Sequence, residues 1–307
     1  MKNVLIIGGS YFVGRVFVEE LLKEKGYSVY VLNRGRIPIK KEGVNEIVCD
    51  RHDTELVKTS LPALDWHAVV DFCAYTAEDI RSMISVLPEG RVRQYIFIST
   101  ASIYEKTREL PVREDASKLT GPQPELGPFA DYGYKKWLSE IELEKQCGEK
   151  DIRYTVIRPA FIYGKYNYAP RESYFFDLIT SNSPIVIPEN DLPLFSFVSV
   201  WDTAKIITGC LESDDVLNRA FNAAADDLVS YRWLVEVLET VSEKKLAVEE
   251  MSVDSIIEKQ VPLPFPLDEH LVYSGALIQG CLDFQYTGFL EGMKETYRFY
   301  LIGKGLS

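Results

Sequence analysis

Histidine is scarce in this chain, with three residues in 307. His52, His67 and His270 stand far apart, so none forms a pair at metal-ligand spacing. The five cysteines (Cys49, Cys73, Cys147, Cys210 and Cys281) are scattered without a CxxC pair, which argues against a zinc knuckle and a disulfide scaffold. No stretch reaches the roughly 18 apolar residues of a membrane span. Met1-Lys2-Asn3 runs straight into a short apolar run, without the longer core and cleavage site of a secretory signal. Basic side chains are outnumbered, 34 against 46 acidic, leaving a net charge of -12. Such a chain lacks the basic surface that displaces counterions from nucleic acid. These absences leave a cytoplasmic, metal-free enzyme or binding protein with a small-molecule ligand.

What is present is an ordinary globular composition, 46% hydrophobic and 26% charged. The length suggests two lobes, at roughly 150 residues per domain. The first half alternates strand-like and helix-like segments. Val4–Ile7, Ser28–Leu32, Glu46–Val48, Ala68–Phe72, Tyr95–Ile98 and Thr155–Ile157 read as short buried strands. Val13, Val16, Phe17 and Leu21 recur at helical spacing, and helices are expected over 77–87 and 132–147. This rhythm predicts an α/β fold, a Rossmann-type doubly wound parallel sheet. After Pro159 the rhythm changes. Helices are expected over 172–181, 201–212, 231–241 and 289–302, with strands at 197–200 and 219–223. The expected division is a dinucleotide-binding domain from 1–164 and 197–224. A smaller, discontinuous substrate lobe takes 165–196 and 225–307.

The first strand runs into Gly8-Gly9-Ser10-Tyr11-Phe12-Val13-Gly14 and then a helix. A strand–turn–helix of this kind offers free N–H groups and a positive helix end to a phosphate. Gly8 suits the tight turn and Gly14 suits close packing, while Tyr11 stands where a middle glycine is usual. The second strand ends at Asn33-Arg34 with no carboxylate to accept a ribose 2′-OH. That chemistry leans towards NADP over NAD, with Arg15 a second phosphate partner. Asp50, with Arg51 beside it, is placed to meet the adenine amine, or is a strand-end turn residue.

Tyr132 and Lys136 stand at i and i+4, on one face of a helix. A phenol titrates near pH 10, too high for a general base at neutral pH, and a nearby ammonium lowers it. A YxxxK pair arises about once by chance in such a chain, and Tyr300–Lys304 is a second copy. Only Tyr132 opens the helix after the fifth strand, at the edge where such sheets bind ligands. Ser99, Thr100 and Ser102 supply hydroxyls as that strand leaves the sheet.

Together these residues resemble the extended short-chain dehydrogenase/reductase family, the NAD(P)-dependent epimerase/dehydratase group. The glycine motif, Asp71-Phe72-Cys73-Ala74-Tyr75, Thr100 with Tyr104, Tyr132-Gly133-Tyr134-Lys135-Lys136, Arg158-Pro159 and the block Phe197 to Ala204 follow its motifs in order. The resemblance covers essentially the whole chain. It implies Thr100, Tyr132 and Lys136 as catalytic residues. It places Cys73, Ala74, Tyr75, Lys136 and Pro159 on the cofactor, and it implies a homodimer through the helices around 77–87 and 132–147. Gly-Gly-Ser-Tyr-Phe-Val-Gly, Asn33-Arg34-Gly35 and Tyr174-Phe175-Phe176-Asp177 look most like the subgroup that includes chloroplast stem-loop-binding proteins. That subgroup implies an alternative, a non-catalytic or RNA-associated protein on the same fold. The chain departs from nucleotide-sugar epimerases at Phe195 and near Phe265, where they carry diphosphate-binding arginines, and at Ser199, usually His. Arg171 is then the remaining anion anchor of the second lobe, or a solvated surface arginine.

Overall fold

The structure, a computed structural model, describes residues 1–306. In chain order the elements are β1 (Lys2–Ile7), α1 (Phe12–Leu21), β2 (Tyr27–Asn33), β3 (Val44–Val48), α2 (Thr54–Ser60), β4 (Trp66–Asp71), α3 (Ala77–Val86), β5 (Gln94–Ile98), α4 (Tyr132–Glu149), β6 (Arg153–Pro159), β7 (Phe161–Tyr163) and α5 (Glu172–Thr180). There follow β8 (Ile185–Pro188), β9 (Phe195–Ser199), α6 (Val200–Glu212), β10 (Arg219–Ala223), β11 (Leu228–Val229), α7 (Tyr231–Ser242), β12 (Val248–Met251), α8 (Val253–Glu258), α9 (Ala276–Leu282) and α10 (Phe289–Lys304).

The Val/Ile runs form a sheet buried on both faces. Val4 and Ile6 point to one face and Leu5 and Ile7 to the other, as the strand period of two requires. Seven strands line up in the order β10-β6-β5-β4-β1-β2-β3, with every neighbouring pair parallel. On one face, Val13, Val16 and Phe17 of α1 and Ile206, Ile207 and Leu211 of α6 pack on Val4, Ile6, Val29 and Val31. On the other, Val57 of α2, Ile80, Met83 and Ile84 of α3 and Leu143 of α4 cover Leu5, Ile7, Val69 and Phe97. Each such fully buried side chain contributes roughly 1.5–3 kcal/mol. The chain winds from β1 to β3 on one side, then crosses to β4 on the other side of β1. Loops leaving the C-terminal ends of β1 and β4 therefore diverge, and a crevice opens between them.

Beyond the sheet, Phe175, Phe176, Phe195, Phe197, Phe265 and Phe289 form a separate aromatic core. It is held by the three-stranded sheet β11-β9-β7 and by α5, α7 and α10. A two-stranded parallel unit, β12-β8, lies alongside. Of the aromatics that follow Pro159, Tyr163, Phe175 and Phe176 are core residues and Tyr168 is 63% exposed.

Seven short elements were not expected from the sequence: α2, β7, β8, β11, β12, α8 and α9. α2 is only seven residues long and buries one of them, Val57, so its hydrophobic signal is faint; Asp53 caps it by accepting from the Leu56 N–H at 3.0 Å. β12 is exposed along three of its four residues and carries no alternation. The second Tyr–Lys pair has a structural use: Tyr300 and Lys304 both donate to Asp177 Oδ1 and pin α10 to α5. Among the described residues, no helix is long and apolar enough to cross a membrane.

Candidate active site

A groove of about 920 Å³ runs along the C-terminal edge of the sheet, over the point where strand order reverses. The turn after β1 forms its floor. Gly8 takes φ +86°, which a side chain rarely tolerates. A Cβ on Gly14 would stand 2.5 Å from the Gly8 carbonyl oxygen, so only glycine lets α1 close on the turn. Tyr11 precedes α1 in extended conformation, and no side chain caps the helix. Its first turn holds no acid, so the N–H groups and the positive helix end are left to an anion. Phe12 holds φ +34° although it carries a side chain, a strained backbone of the kind that accumulates at binding turns. Ser10, Tyr11, Phe12 and Val13 line the groove with Gly8 and Gly14; Gly9 lies behind them, facing Ile6, Val18 and Val31.

At the far end, beyond β2, the groove is lined by Asn33, Arg34, Arg36 and Asp50. Asn33 is committed to structure: it donates to Glu46 Oε1 at 3.0 Å and accepts from the Gly35 N–H at 2.7 Å. Arg34 and Arg36 are exposed, and neither makes an ion pair among the described residues. Arg36 had escaped the sequence reading, although it lies only two residues past Arg34. Asp50 accepts from the His52 N–H, which holds its carboxyl below the usual range.

Two arginines depart from the sequence expectation. Arg51 borders the groove, but its guanidinium is spent inside the wall. It donates to Asp71 Oδ1 at 2.9 Å and to the Asp79 carbonyl at 2.7 Å. Asp71 in turn accepts from the Cys73 and Ala74 N–H groups and from the Tyr95 hydroxyl. Arg51 thus fixes the 72–75 turn. Arg15 turns away from the groove. It stacks on Tyr166, 4.1 Å from the ring centre, and faces Glu19. Burial would raise the Glu19 carboxyl, but hydrogen bonds from Lys165 and Lys41 prevail and bring it down to about 2.

The middle of the groove gathers Cys73, Tyr75, Thr100, Tyr132, Lys136 and Pro159. Lys136 is 2% exposed and donates to the carbonyls of Ala74 (2.9 Å) and Ile98 (2.8 Å). Ala74 itself lies behind the wall and acts through that carbonyl. Burial lowers Lys136 to about 8, with the Asp71 charge resisting. Tyr132, one turn earlier on α4, is 38% exposed beside it. The surrounding protein pushes its phenol up; the Thr100 hydroxyl, and then the Arg171 charge, act in the opposite sense.

The hydroxyls after β5 separate cleanly. Ser99 is buried and donates to Glu140 Oε1 at 2.5 Å, behind the groove. Glu140 is locked to Arg158 by a buried ion pair of 2.6 Å. Thr100 faces the groove, accepts from the Ser102 N–H at 3.1 Å, and caps the short turn that follows. Tyr104, which accompanies Thr100 in the resemblance, donates to Asn222 Oδ1 and is buried.

Arg171 is not a surface residue. It is half-buried in the groove wall and lies over Phe161. Phe195 and Phe265 belong to the aromatic core with rings 5.5 Å apart. Ser199 caps α6 by accepting from the Asp202 N–H. Tyr168, one of the aromatics that follow Pro159, has its ring 5.1 Å from that of Tyr11 and also lines the groove. Among the described residues, no group of three His, Cys, Asp or Glu could hold a metal ion.

The groove suits a dinucleotide: a glycine cradle with free N–H groups at its centre, an open end with two exposed arginines, and a buried ammonium beside a phenol. Comparisons with known proteins agree. The chain is 29% identical over 250 residues to the chloroplast stem-loop binding protein of 41 kDa b of Arabidopsis thaliana; the match covers 76% of this chain and 62% of the relative. The chain therefore spans less than two thirds of that relative's length. A UDP-glucose 4-epimerase of Thermotoga maritima, solved with UDP-glucose, has the same fold, with TM-score 0.79, 18% identity and coverage of 99% and 100% of the two chains. So does a dTDP-glucose 4,6-dehydratase of Bacillus anthracis solved with NAD, with TM-score 0.81, 14% identity and coverage of 100% and 98%. Residues 4–224 match a family described as NAD dependent epimerase/dehydratase. That match spans well over half of the sequence, and the chain belongs to the NAD dependent epimerase/dehydratase family of enzymes.

Proposed function

We propose that the chain is an NAD(P)-dependent enzyme of the epimerase, dehydratase or reductase type, acting on a hydroxyl or keto carbon of a small, sugar-like substrate. The observation that carries this reading is that Thr100, Tyr132 and Lys136 share one groove with the glycine turn, though they come from separate segments. When bound, the nicotinamide would supply hydride chemistry. The glycine turn would hold the pyrophosphate on its N–H groups. Lys136, fixed by two carbonyls, would direct its remaining proton to the nicotinamide ribose and lend its charge to Tyr132. The Tyr132 phenol would take the proton of the reacting hydroxyl or return it, and Thr100 would hold the substrate oxygen. Cys73, Tyr75 and Pro159 would border the nicotinamide.

NADP is favoured over NAD in this reading. Arg34 and Arg36 stand free at the adenosine end, and β2 ends in Asn33 rather than a carboxylate. The division into a dinucleotide-binding domain and a substrate lobe is also proposed, with the separate aromatic core in its support. So are a cytoplasmic location and a homodimer through α3 and α4; Leu138 and Ile141 leave apolar surface exposed on α4. One relative's name favours a second reading, RNA association. The net charge of -12 and the full Thr–Tyr–Lys set stand against it.

The test is to denature freshly purified protein and identify the released nucleotide by mass spectrometry, with an NADPH titration of the stripped protein. Near one nucleotide bound per chain supports the reading. A protein that binds neither NADPH nor NADH, yet binds RNA in a salt-sensitive way, supports the second.

A further inference from the structure

The groove has two electrostatically different halves. Its adenosine end carries cations and carboxylates together: Arg34, Arg36, Asp50 and Asp79. Among the lining residues from Pro159 onward, Arg171 alone is charged; its companions include Phe161, Ile162, Leu271 and Tyr273. A half-buried guanidinium in an apolar wall ordinarily has a carboxylate partner. Arg171 has none. Its neighbour Glu172 is turned into the protein, where it accepts from the Gly164 N–H at 2.9 Å and from Asn167 Nδ2 at 3.0 and 2.9 Å. The one hydrogen bond recorded for the Arg171 side chain is a long one, Nη1 to the Ile162 carbonyl at 3.2 Å. Stacking on Phe161, 5.2 Å from the ring centre, holds the group in place without neutralising it.

The wall thus offers one positive charge with spare donors, in the groove that also holds Tyr132. A diphosphate needs more than that, and Phe195 and Phe265 put no cation here. The hydroxyls of Thr100 and Ser102 on the facing loop suit a polyhydroxylated carbon chain.

Building on the proposed function, we infer that Arg171 anchors a single anionic group, a carboxylate or a phosphate monoester, on a small polyhydroxylated substrate, and that the site is not built for a nucleoside diphosphate sugar. Anion and guanidinium pair through two parallel N–H···O bonds, and this fixes which carbon of the substrate lies against Tyr132. Because the anion and the Tyr132 phenol both face Arg171, docking the anion also removes the cation's pull on the phenol, leaving Lys136 to supply it.

The test uses nucleotide-loaded protein, titrated by calorimetry with galacturonate, galactose 6-phosphate, galactose and UDP-galactose. At least one of the two anionic sugars is expected to bind about tenfold or more tightly than galactose and than UDP-galactose, as a charge-assisted pair requires. Which of the two binds better distinguishes the carboxylate from the phosphate. Arg171→Gln should erase the preference, and Arg171→Lys should restore part of it. NADPH affinity, measured on both variants, should stay within about twofold of the parent, showing an intact fold. The inference is overturned if neither anionic sugar binds, if galactose binds as well, if UDP-galactose binds tightest, or if Arg171→Gln keeps the preference. Failure of the unsubstituted protein to bind NADPH would instead overturn the proposed function, and this inference with it.

Discussion

Lys136 should make the protein less stable in the pH range where it works, and replacing it should show this. The side chain is 2% exposed and, among the described residues, makes no ion pair and has only the Ala74 and Ile98 carbonyls for its protons. Its ammonium is held down to about 8, against 10.5 for a free lysine. The folded state therefore binds fewer protons than the unfolded state between those two values. Stability must rise with pH across that window, and the gain is lost as pH falls through 8. The whole window corresponds to about 3 kcal/mol. Between about pH 7 and about pH 9 the contribution of this one group is on the order of 1 kcal/mol. Other groups titrate in the same range, so the quantity to measure is a difference. Urea unfolding of the nucleotide-free protein and of Lys136→Met is run at both pH values. The parent should gain on the order of 1 kcal/mol relative to the variant on going to the higher pH. A difference that stays flat, or shrinks, refutes the claim that the ammonium is buried uncompensated. A rise confirms that a destabilising charge is buried here.

Further outcomes follow from the same geometry. Gly14→Ala should keep its far-UV circular dichroism but lose NADPH affinity by more than about tenfold, since its Cβ would meet the Gly8 carbonyl oxygen at 2.5 Å; unchanged affinity would remove the glycine turn from the cofactor site. Arg34→Glu with Arg36→Glu should weaken NADPH by about tenfold or more and leave NADH nearly unaltered, as read by fluorescence titration; equal losses for both would contradict the NADP preference. Glu140→Gln should destabilise the fold by roughly 3–5 kcal/mol in urea unfolding, because Arg158 is left 4% exposed without its counter-ion; a loss below about 1 kcal/mol would mean that the pair does not support the site.

The large sheet was legible because both its faces are buried. A strand such as Val4–Ile7, with no exposed residue, reads as an unbroken apolar run, and the helices between strands carry their own period. In the aromatic lobe, β9, α5, α7 and α10 were visible for the same reason. α2 and β12 were not, since each is short and mostly exposed, and patterns record burial. At the site, the residues whose role rests on backbone position were readable: Gly8 and Gly14 at the turn, Tyr132 and Lys136 one turn apart. Long side chains were not. Arg15, Arg51 and Arg171 sit within reach of several destinations, and their sequence neighbours do not decide among them. Arg51 went into the wall, Arg15 across to Tyr166 and Glu19, and Arg171 into the groove. Among the hydroxyls after β5 the resemblance singles out Thr100, and in the structure Glu140 takes Ser99 out of the groove.

The central claim is that Tyr132 moves the substrate proton in a nucleotide-loaded groove. Its most direct measurement compares Tyr132→Phe with the parent protein, both loaded with nucleotide. Turnover of the tightest-binding sugar is followed by proton NMR, which detects an epimerised, dehydrated or reduced product alike. The account predicts nucleotide affinity within about twofold of the parent and turnover lower by roughly 10²–10⁴, the scale of general acid–base catalysis. Turnover by Tyr132→Phe equal to that of the parent would contradict it.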